Sequence, residues 1–161
     1  MAGSDIFSRR GFEVPALSTS SMEFLRDSVP VAGSIAGNPL DMWRTFIDAE
    51  YLAQVLAHGY RDPAVSIIVV DRLIPRNAYH FPDLADPTLE TIAFLKNQPR
   101  AKPTVFTIDS EGGDPALAQA GARLRAQFCS AGIPAYPSAV RAARALYHLL
   151  HFHARRQKGD R

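Results

Sequence analysis

The feature that most constrains the fold is an almost continuous apolar run, VSIIVV at residues 65–70, placed between two segments with helical periodicity. A strand that is apolar at nearly every position suits a parallel sheet with helices on both faces. Shorter strand patterns follow at residues 104–108 and 133–136, each after a segment of helical length. Strands that alternate with helices in this way predict βα units, a parallel sheet and right-handed crossovers. The sequence therefore predicts an α/β fold of three layers.

Local residue patterns predict where the helices begin and end. Ser18 and Ser138 are candidate N-caps, and Asp114-Pro115 is a typical helix opening. Gly11 and Gly132 are placed where helices usually stop. A further helix is predicted over residues 48–58, which have amphipathic spacing.

The same spacing predicts which side chains of two later helices face the core. The helix that follows Pro87 is expected to point Leu89, Ile92 and Ala93 inward. For the last helix the expected inward residues are Val140, Ala143, Leu146, Tyr147 and Leu150.

Composition narrows the class of protein. The chain has 161 residues, 47% of them hydrophobic and 21% charged, which suits one globular domain with a sizeable core. A net charge of +2 without a basic stripe argues against nucleic-acid binding. Cys129 is the only cysteine, so an internal disulfide is excluded; we expect a reducing compartment and a buried thiol. No apolar run approaches the ~20 residues of a membrane span, and no signal peptide is evident, so we expect a cytoplasmic domain.

Ligands of open α/β sheets bind at the carboxyl ends of the strands, and three loops qualify, at residues 37–41, 71–75 and 110–114. In the first loop, Asn38 and Asp41 flank a stiff proline and are candidates for a binding edge; alternatively they hydrogen-bond their own loop. In the third loop, Gly112 and Gly113 allow close backbone approach to an anion; alternatively they only form a turn.

The chain contains five histidines, and none has a sequence context that points to catalysis. His148 and His151 share a helix face with arginines, which indicates a solvated basic face rather than a metal site. We therefore predict no catalytic residue and no metal site in this chain.

In order, the loop GNPLD at 37–41, the apolar run, KPTVF at 102–106, the Gly112-Gly113 turn and AGIPAY at 131–136 resemble one domain of the NDP-forming acyl-CoA ligases, the succinyl-CoA synthetase superfamily. This is the flavodoxin-like domain that follows the phosphohistidine domain. The resemblance runs from about residue 1 to residue 152 and implies that Gly112 and Gly113 face phosphate. Asn38 and Asp41 match the family's Asn-Pro-aliphatic-Asp pattern.

The resemblance also implies what the chain lacks. It starts within the family's first helix, so we expect an N-terminally truncated domain over residues 1–154, without the first strand, and a basic tail over residues 155–161. A sheet without that strand would leave unpaired edges, which predicts a homo-oligomer or pairing with another chain.

The function implied is that of a domain or subunit of an acyl-CoA ligase (acid + CoA + NTP to acyl-CoA + NDP + phosphate) that docks on the phosphohistidine domain and is inactive alone. CoA and ATP are then cofactors of the full enzyme, not of this chain. The partners are the CoA-binding, phosphohistidine and ATP-grasp domains. The alternative is a structural or regulatory module, such as the ligase-like part of a protein acetyltransferase. An unrelated flavodoxin-like binder of flavin or nucleotide is disfavoured, because no Ser/Thr-rich phosphate loop follows a first strand.

Overall fold

The computed structural model describes residues 2–28, 35, 37–46, 48–73, 88–98, 102–110 and 114–159. Gly112, Gly113 and the greater part of the 71–86 connection lie outside the described residues. The helices are α1 (Ala2–Ser8), α2 (Thr19–Ser28), α3 (Ala49–Arg61), α4 (Thr88–Lys96), α5 (Pro115–Ser130) and α6 (Ala139–Gly159), with a 3₁₀ turn at Trp43–Phe46 before α3. The strands are β1 (Ile68–Leu73), β2 (Thr104–Asp109) and β3 (Ala135–Tyr136).

The three strands form one parallel sheet in the order β1-β2-β3. Ile68 lies opposite Thr104, and Phe106 lies opposite Ala135. Each strand is followed by a helix, as the alternating pattern predicts, and the fold is an α/β fold of the flavodoxin-like type.

β1 differs from the prediction in position and in burial. It begins at Ile68 rather than at residue 65 and continues to Leu73. It lies at one side of the described sheet, and Val69 is 37% exposed. The expectation of a strand covered on both faces is therefore wrong at Val69, because a strand with one neighbour is covered less completely than a central one.

The sheet has an apolar core on each face. On one face, Phe7 of α1 packs with Val105 of β2 and with α6 residues. On the other, Phe106 and Ile108 of β2 pack with Phe128 of α5, the two phenylalanine rings being stacked at 4.2 Å. Because successive side chains of β2 point to opposite faces, this one strand supports both layers.

A third apolar cluster joins α2 and α3 away from these two cores. It contains Leu25, Met42 and Tyr51, all buried. Asp48 begins α3 as its N-cap, with its side chain accepting from the backbone N–H of Tyr51 at 2.8 Å. The predicted helix at 48–58 is confirmed and continues to Arg61.

The helix ends agree with the sequence predictions. Ser18 precedes α2 and its carbonyl accepts from the N–H of Met22, while Asp114 caps α5. Gly11 and Gly132 have φ of 82° and 80°, the left-handed conformation that suits glycine at a helix end.

The predicted inward faces are partly wrong. In α4, Leu89 and Ala93 are exposed, whereas Thr88 and Thr91 are buried. The reason is Arg72 of β1, whose Nη1 donates to Thr88 Oγ1 at 3.3 Å, so this buried cation draws the threonine face of α4 toward the sheet.

Three further residues expected inside are exposed in the structure. Val140 and Leu150 of α6 face outward, and Ala142 is buried in their place. Cys129 is exposed near the end of α5, so the prediction of a buried thiol is wrong.

In the described part of the chain, no helix combines the length and the apolar character needed to cross a bilayer.

Candidate functional site at the carboxyl edge of the sheet

The carboxyl ends of β1 and β2 bring several polar side chains to one edge of the sheet. Asp71 of β1 is exposed and accepts a hydrogen bond from the hydroxyl of Thr107 on β2. A Cβ built on Gly3 would lie 3.8 Å from Asp71 Oδ2, so the first turn of α1 also reaches this edge. Asp109 and Ser110 follow at the end of β2 and are half-buried.

The N-terminus of α5, where a phosphate contact was predicted, carries a carboxylate of its own. Asp114 Oδ1 accepts from the backbone N–H groups of Ala116 at 2.8 Å and of Leu117 at 3.4 Å. These are the donors that a bound anion would use at a helix N-terminus. These two N–H groups at the helix end therefore already have an acceptor within the protein. The predicted roles of Gly112 and Gly113 stay predictions.

The N-terminus of α6 has a neutral cap instead. Ser138 Oγ accepts from the backbone N–H of Arg141 at 3.4 Å, and the Ser138 carbonyl accepts from Ala142 at 3.1 Å. Since a hydroxyl carries no charge, it does not oppose an anion as the Asp114 carboxylate does.

Two arginines near this edge were not singled out from the sequence. Arg125 of α5 donates from Nη1 to the carbonyl of Ile108 at 2.9 Å, close to the end of β2. Arg72 is buried beside α4. Arg72 interrupts the apolar pattern near the end of β1, which was the available indication; Arg125 has the spacing of an ordinary surface residue.

The loop at residues 37–41 is held by backbone pairing and by one side chain. Ile35 and Asp41 form an antiparallel bridge with N···O distances of 2.9 and 3.2 Å. Asn38 Nδ2 donates to the carbonyl of Pro15 at 2.9 Å, so Asn38 connects the loop to the segment before α2. The Asp41 side chain is exposed.

The described residues of the first and third predicted loops are not linked to each other. Among the described contacts, no hydrogen bond or ion pair links Asn38 or Asp41 to Ser110 or Asp114. Within the same residues, no group of three or more His, Cys, Asp and Glu side chains is placed to hold a metal ion. The described part of the carboxyl edge offers hydrogen-bond donors, acceptors and charges.

Fold and edge together define an α/β domain of the flavodoxin-like class with a polar carboxyl edge. No protein-family model matches the chain, and no curated protein matches it in sequence. Solved structures do match: the protein PH0766 of Pyrococcus horikoshii OT3 has a TM-score of 0.68 over 90% of this chain at 21% identity. A dinucleotide-forming acetyl-coenzyme A synthetase 1 of Candidatus Korarchaeum cryptofilum, in its apo form, has a TM-score of 0.68 over 96% of the chain at 17% identity.

The chain spans 31% of the length of each of these two proteins. At such identities the likeness establishes a shared fold. One of the two proteins with this fold carries a name that states acetyl-coenzyme A synthesis.

Proposed function

We propose that this chain is a domain or subunit of an NDP-forming acyl-CoA ligase, that it docks on the phosphohistidine domain, and that it has no ligase activity alone. The observation that carries the proposal is the fold shared with an acetyl-coenzyme A synthetase over 96% of the chain. The ordered motifs of the sequence, from the loop of Asn38 and Asp41 to the Gly112-Gly113 turn, support the same assignment.

The described polar side chains of the carboxyl edge are engaged with groups of the protein itself. Asp71 accepts from the Thr107 hydroxyl, and Asp114 accepts from the backbone N–H groups of Ala116 and Leu117. A domain of this kind contributes a surface and helix ends, while CoA, ATP and the phosphorylated histidine belong to other parts of the enzyme.

The edge of β1 that faces away from β2 has no partner strand among the described residues, and this supports the proposal of a partner chain or a homo-oligomer. Ile68 donates from its N–H to Pro103 O at 2.9 Å, so alternate residues bond toward β2. The N–H and C=O groups of Val69 and Asp71 then point to the other edge, where no strand of the described residues pairs with them. Because such an edge readily accepts another strand, we expect it to be covered in the working protein.

One observation favours the alternative, a regulatory module such as the ligase-like part of a protein acetyltransferase. The Asp114 carboxylate occupies the N-terminus of α5. A domain that does not meet phosphate has no need to keep that helix end free for an anion.

The test is the native mass and composition of the protein recovered from source cells with an antibody to this chain. Co-purifying ATP-grasp and phosphohistidine peptides would support the ligase, and acetyltransferase peptides would support the regulatory module. In parallel, the purified chain is incubated with ATP, CoA and short acids. Formation of acyl-CoA by the chain alone would refute the proposal, as would a monomer of 17.6 kDa with neither set of peptides.

A further inference from the structure

The last helix is longer than the sheet that it covers. α6 has 21 residues, about 31 Å at 1.5 Å per residue, whereas the six residues of β2 span about 20 Å. Ala142, Ala143 and Leu146 in its first half are buried. Residues 148–157 are all exposed. The second half of α6, residues 148–159, therefore overhangs the domain and is called the overhang below.

The overhang lies at the amino edge of the sheet, opposite to the site described above. α6 starts after β3 at the carboxyl edge and runs back along the sheet. Leu146 and Leu149 line a cavity of about 310 Å³ together with Pro103 and Pro134, the residues that immediately precede β2 and β3. The overhang and the amino ends of the strands thus form a corner with a cavity at its inner angle.

The wall that the overhang contributes to this corner is apolar. Leu149 and Leu150 stand three and four residues after the buried Leu146, so they continue the stripe of α6 that packs on the sheet. They are 52% and 47% exposed, and Phe152 beside them is 56% exposed. A core-facing stripe that continues past its own core is a surface suited to being covered by another element.

The rim of the corner is positively charged. α6 contains no Asp or Glu. The guanidinium carbon of Arg156 lies 5.8 Å from the centre of the Phe152 ring. Lys102 lines the cavity, and its ammonium donates to the backbone carbonyls of Gly59 and Asp62, which hold it in place. Among the described residues, this ammonium has no carboxylate partner.

These observations decide between possible occupants. In a two-fold symmetric dimer centred on the overhang, the cations of both copies would share one interface to which α6 contributes no carboxylate, which is unfavourable. A lipid bilayer is flat, whereas this surface is a corner between a helix and a sheet edge. A helix with apolar residues on one face and carboxylates beside them matches both the shape and the charge.

We propose that the corner formed by the overhang and the cavity at the amino edge of the sheet is the docking site of an acidic amphipathic helix of a partner protein. Its apolar side chains pack on Leu149, Leu150 and Phe152, with one entering the cavity. Its carboxylates pair with Arg156 and Lys102. The proposal is independent of the ligase assignment, because it concerns the opposite edge of the sheet.

The test uses a phage-displayed library of helices of about five turns (~18 residues) with randomised surface positions, selected on the full chain. We expect enriched sequences to combine Leu or Phe on one face with Glu or Asp beside it. Binding of the selected peptides, measured by fluorescence anisotropy, should weaken about tenfold or more in Leu149→Glu and in Arg156→Glu.

The matched controls are Val140→Glu and Arg144→Glu, which change exposed residues on the solvated stripe of the same helix and should leave binding unchanged. Thermal unfolding monitored by circular dichroism verifies that each variant is folded. Enriched peptides without an acidic bias, or equal loss in the controls, would overturn the proposal. So would a dimer that Leu149→Glu dissociates, or Leu149-dependent binding to phosphatidylcholine vesicles that contain phosphatidylserine.

Discussion

The carboxylate of Asp62 accepts two hydrogen bonds from Ser18, one from the backbone N–H and one from the hydroxyl, both at 2.8 Å. Ser18 is the residue that caps α2, and Asp62 is the residue that ends α3, 44 positions later. Asp62 is only 2% exposed, and its other oxygen accepts from the N–H of Ala64 at 3.0 Å. One buried carboxylate therefore fixes the start of one helix against the end of another.

The first prediction concerns the loss of this carboxylate. Asp62→Asn replaces one acceptor oxygen by an amide that must face an N–H donor, so the free energy of unfolding should fall by about 2 to 3 kcal/mol. Urea unfolding measures it. Asp27→Asn, at an exposed position of α2, is the control and should change stability by less than about 0.5 kcal/mol. An equal loss in the two variants would contradict the prediction.

The same carboxylate predicts an acid dependence of stability. Burial raises the pKa of Asp62, but hydrogen bonds from the Ser21 hydroxyl and from Ser18 and Ala64 outweigh burial and lower this pKa from 3.8 to about 2. The folded state therefore binds the proton less readily than the unfolded state, and stability rises with pH. Its contribution should be complete above about pH 4 and be lost as the pH falls toward 2. In Asp62→Asn the free energy of unfolding should change less between about pH 4 and about pH 2. If its pH dependence is unchanged in this variant, the effect does not come from the Asp62 carboxylate.

A second prediction concerns the N-cap of α3. Asp48 accepts from the Tyr51 N–H and from Arg44 Nε, at 2.8 and 2.9 Å. Asp48→Ala should cost about 1 kcal/mol of the free energy of unfolding, as loss of a helix cap does. Asp48→Ser keeps a capping oxygen and should restore most of it. Arg44→Ala removes an exposed ion pair and the guanidinium that lies 4.4 Å from the centre of the Tyr51 ring, and it should still cost less than Asp48→Ala. If Arg44→Ala costs as much as Asp48→Ala, the contacts of Arg44 rather than the cap hold this turn.

His58 provides a third prediction. Its ring stacks on Phe24 of α2 with centroids 3.8 Å apart and planes 8° from parallel. Burial, and then the positive charge of Arg61, lower the pKa of His58 below its ordinary value of 6.5. Because the unfolded state takes up the proton more readily, stability should decline as the pH falls below 6.5.

The measurement is an NMR titration of the histidine ring signals, with His58 assigned by the loss of one signal in His58→Gln. His58 should titrate below 6.5, and its pKa should rise toward that value in Arg61→Gln and in Phe24→Ala. A titration at or above 6.5 that neither substitution moves would refute the prediction.

The fourth prediction tests the contact between α3 and β1. A Cβ built on Gly59 would lie 2.8 Å from Cδ1 of Ile68, so Gly59→Ala needs that side chain to move. Ile68→Val removes this atom. In the Ile68→Val background, Gly59→Ala should stabilise the protein by about 0.5 to 1 kcal/mol through helix propensity. In the natural background that gain should be largely cancelled. Urea unfolding of the parent, both single variants and the double variant measures the coupling, and equal effects of Gly59→Ala in both backgrounds would exclude the contact.

The predictions from sequence were most accurate where the physics is local. Helix caps depend on a side chain and on the N–H groups two or three residues ahead, so Ser18 and Asp114 could be identified by their neighbours alone. The glycines that end helices follow the same logic, since a positive φ is a property of one residue, as at Gly11 and Gly132.

The candidate site was less accessible from sequence. Asn38 and Asp41 were identified as neighbours of a stiff proline, but the partner of Asn38, the Pro15 carbonyl, is 23 residues away. Arg125 could not be distinguished from an ordinary surface arginine until its bond to the Ile108 carbonyl was seen. Whether Asn38, Asp41, Gly112 and Gly113 meet a partner or a phosphate stays a prediction.

The alternation of strands and helices, and with it the parallel α/β sheet, follows from the sequence alone, because apolar periodicity and caps act over a few residues. Which side of each helix is covered depends on the packing of elements that are far apart in the chain. Thr88 is buried where Leu89 was expected, and its hydroxyl accepts a hydrogen bond from the buried Arg72 of β1, 16 residues earlier in the chain. Leu150 is exposed although it lies on the core-facing stripe of α6, because this helix extends beyond the end of the sheet on which it packs. The partners of a buried cation and the length of a neighbouring layer are set by long-range packing, which no local pattern contains.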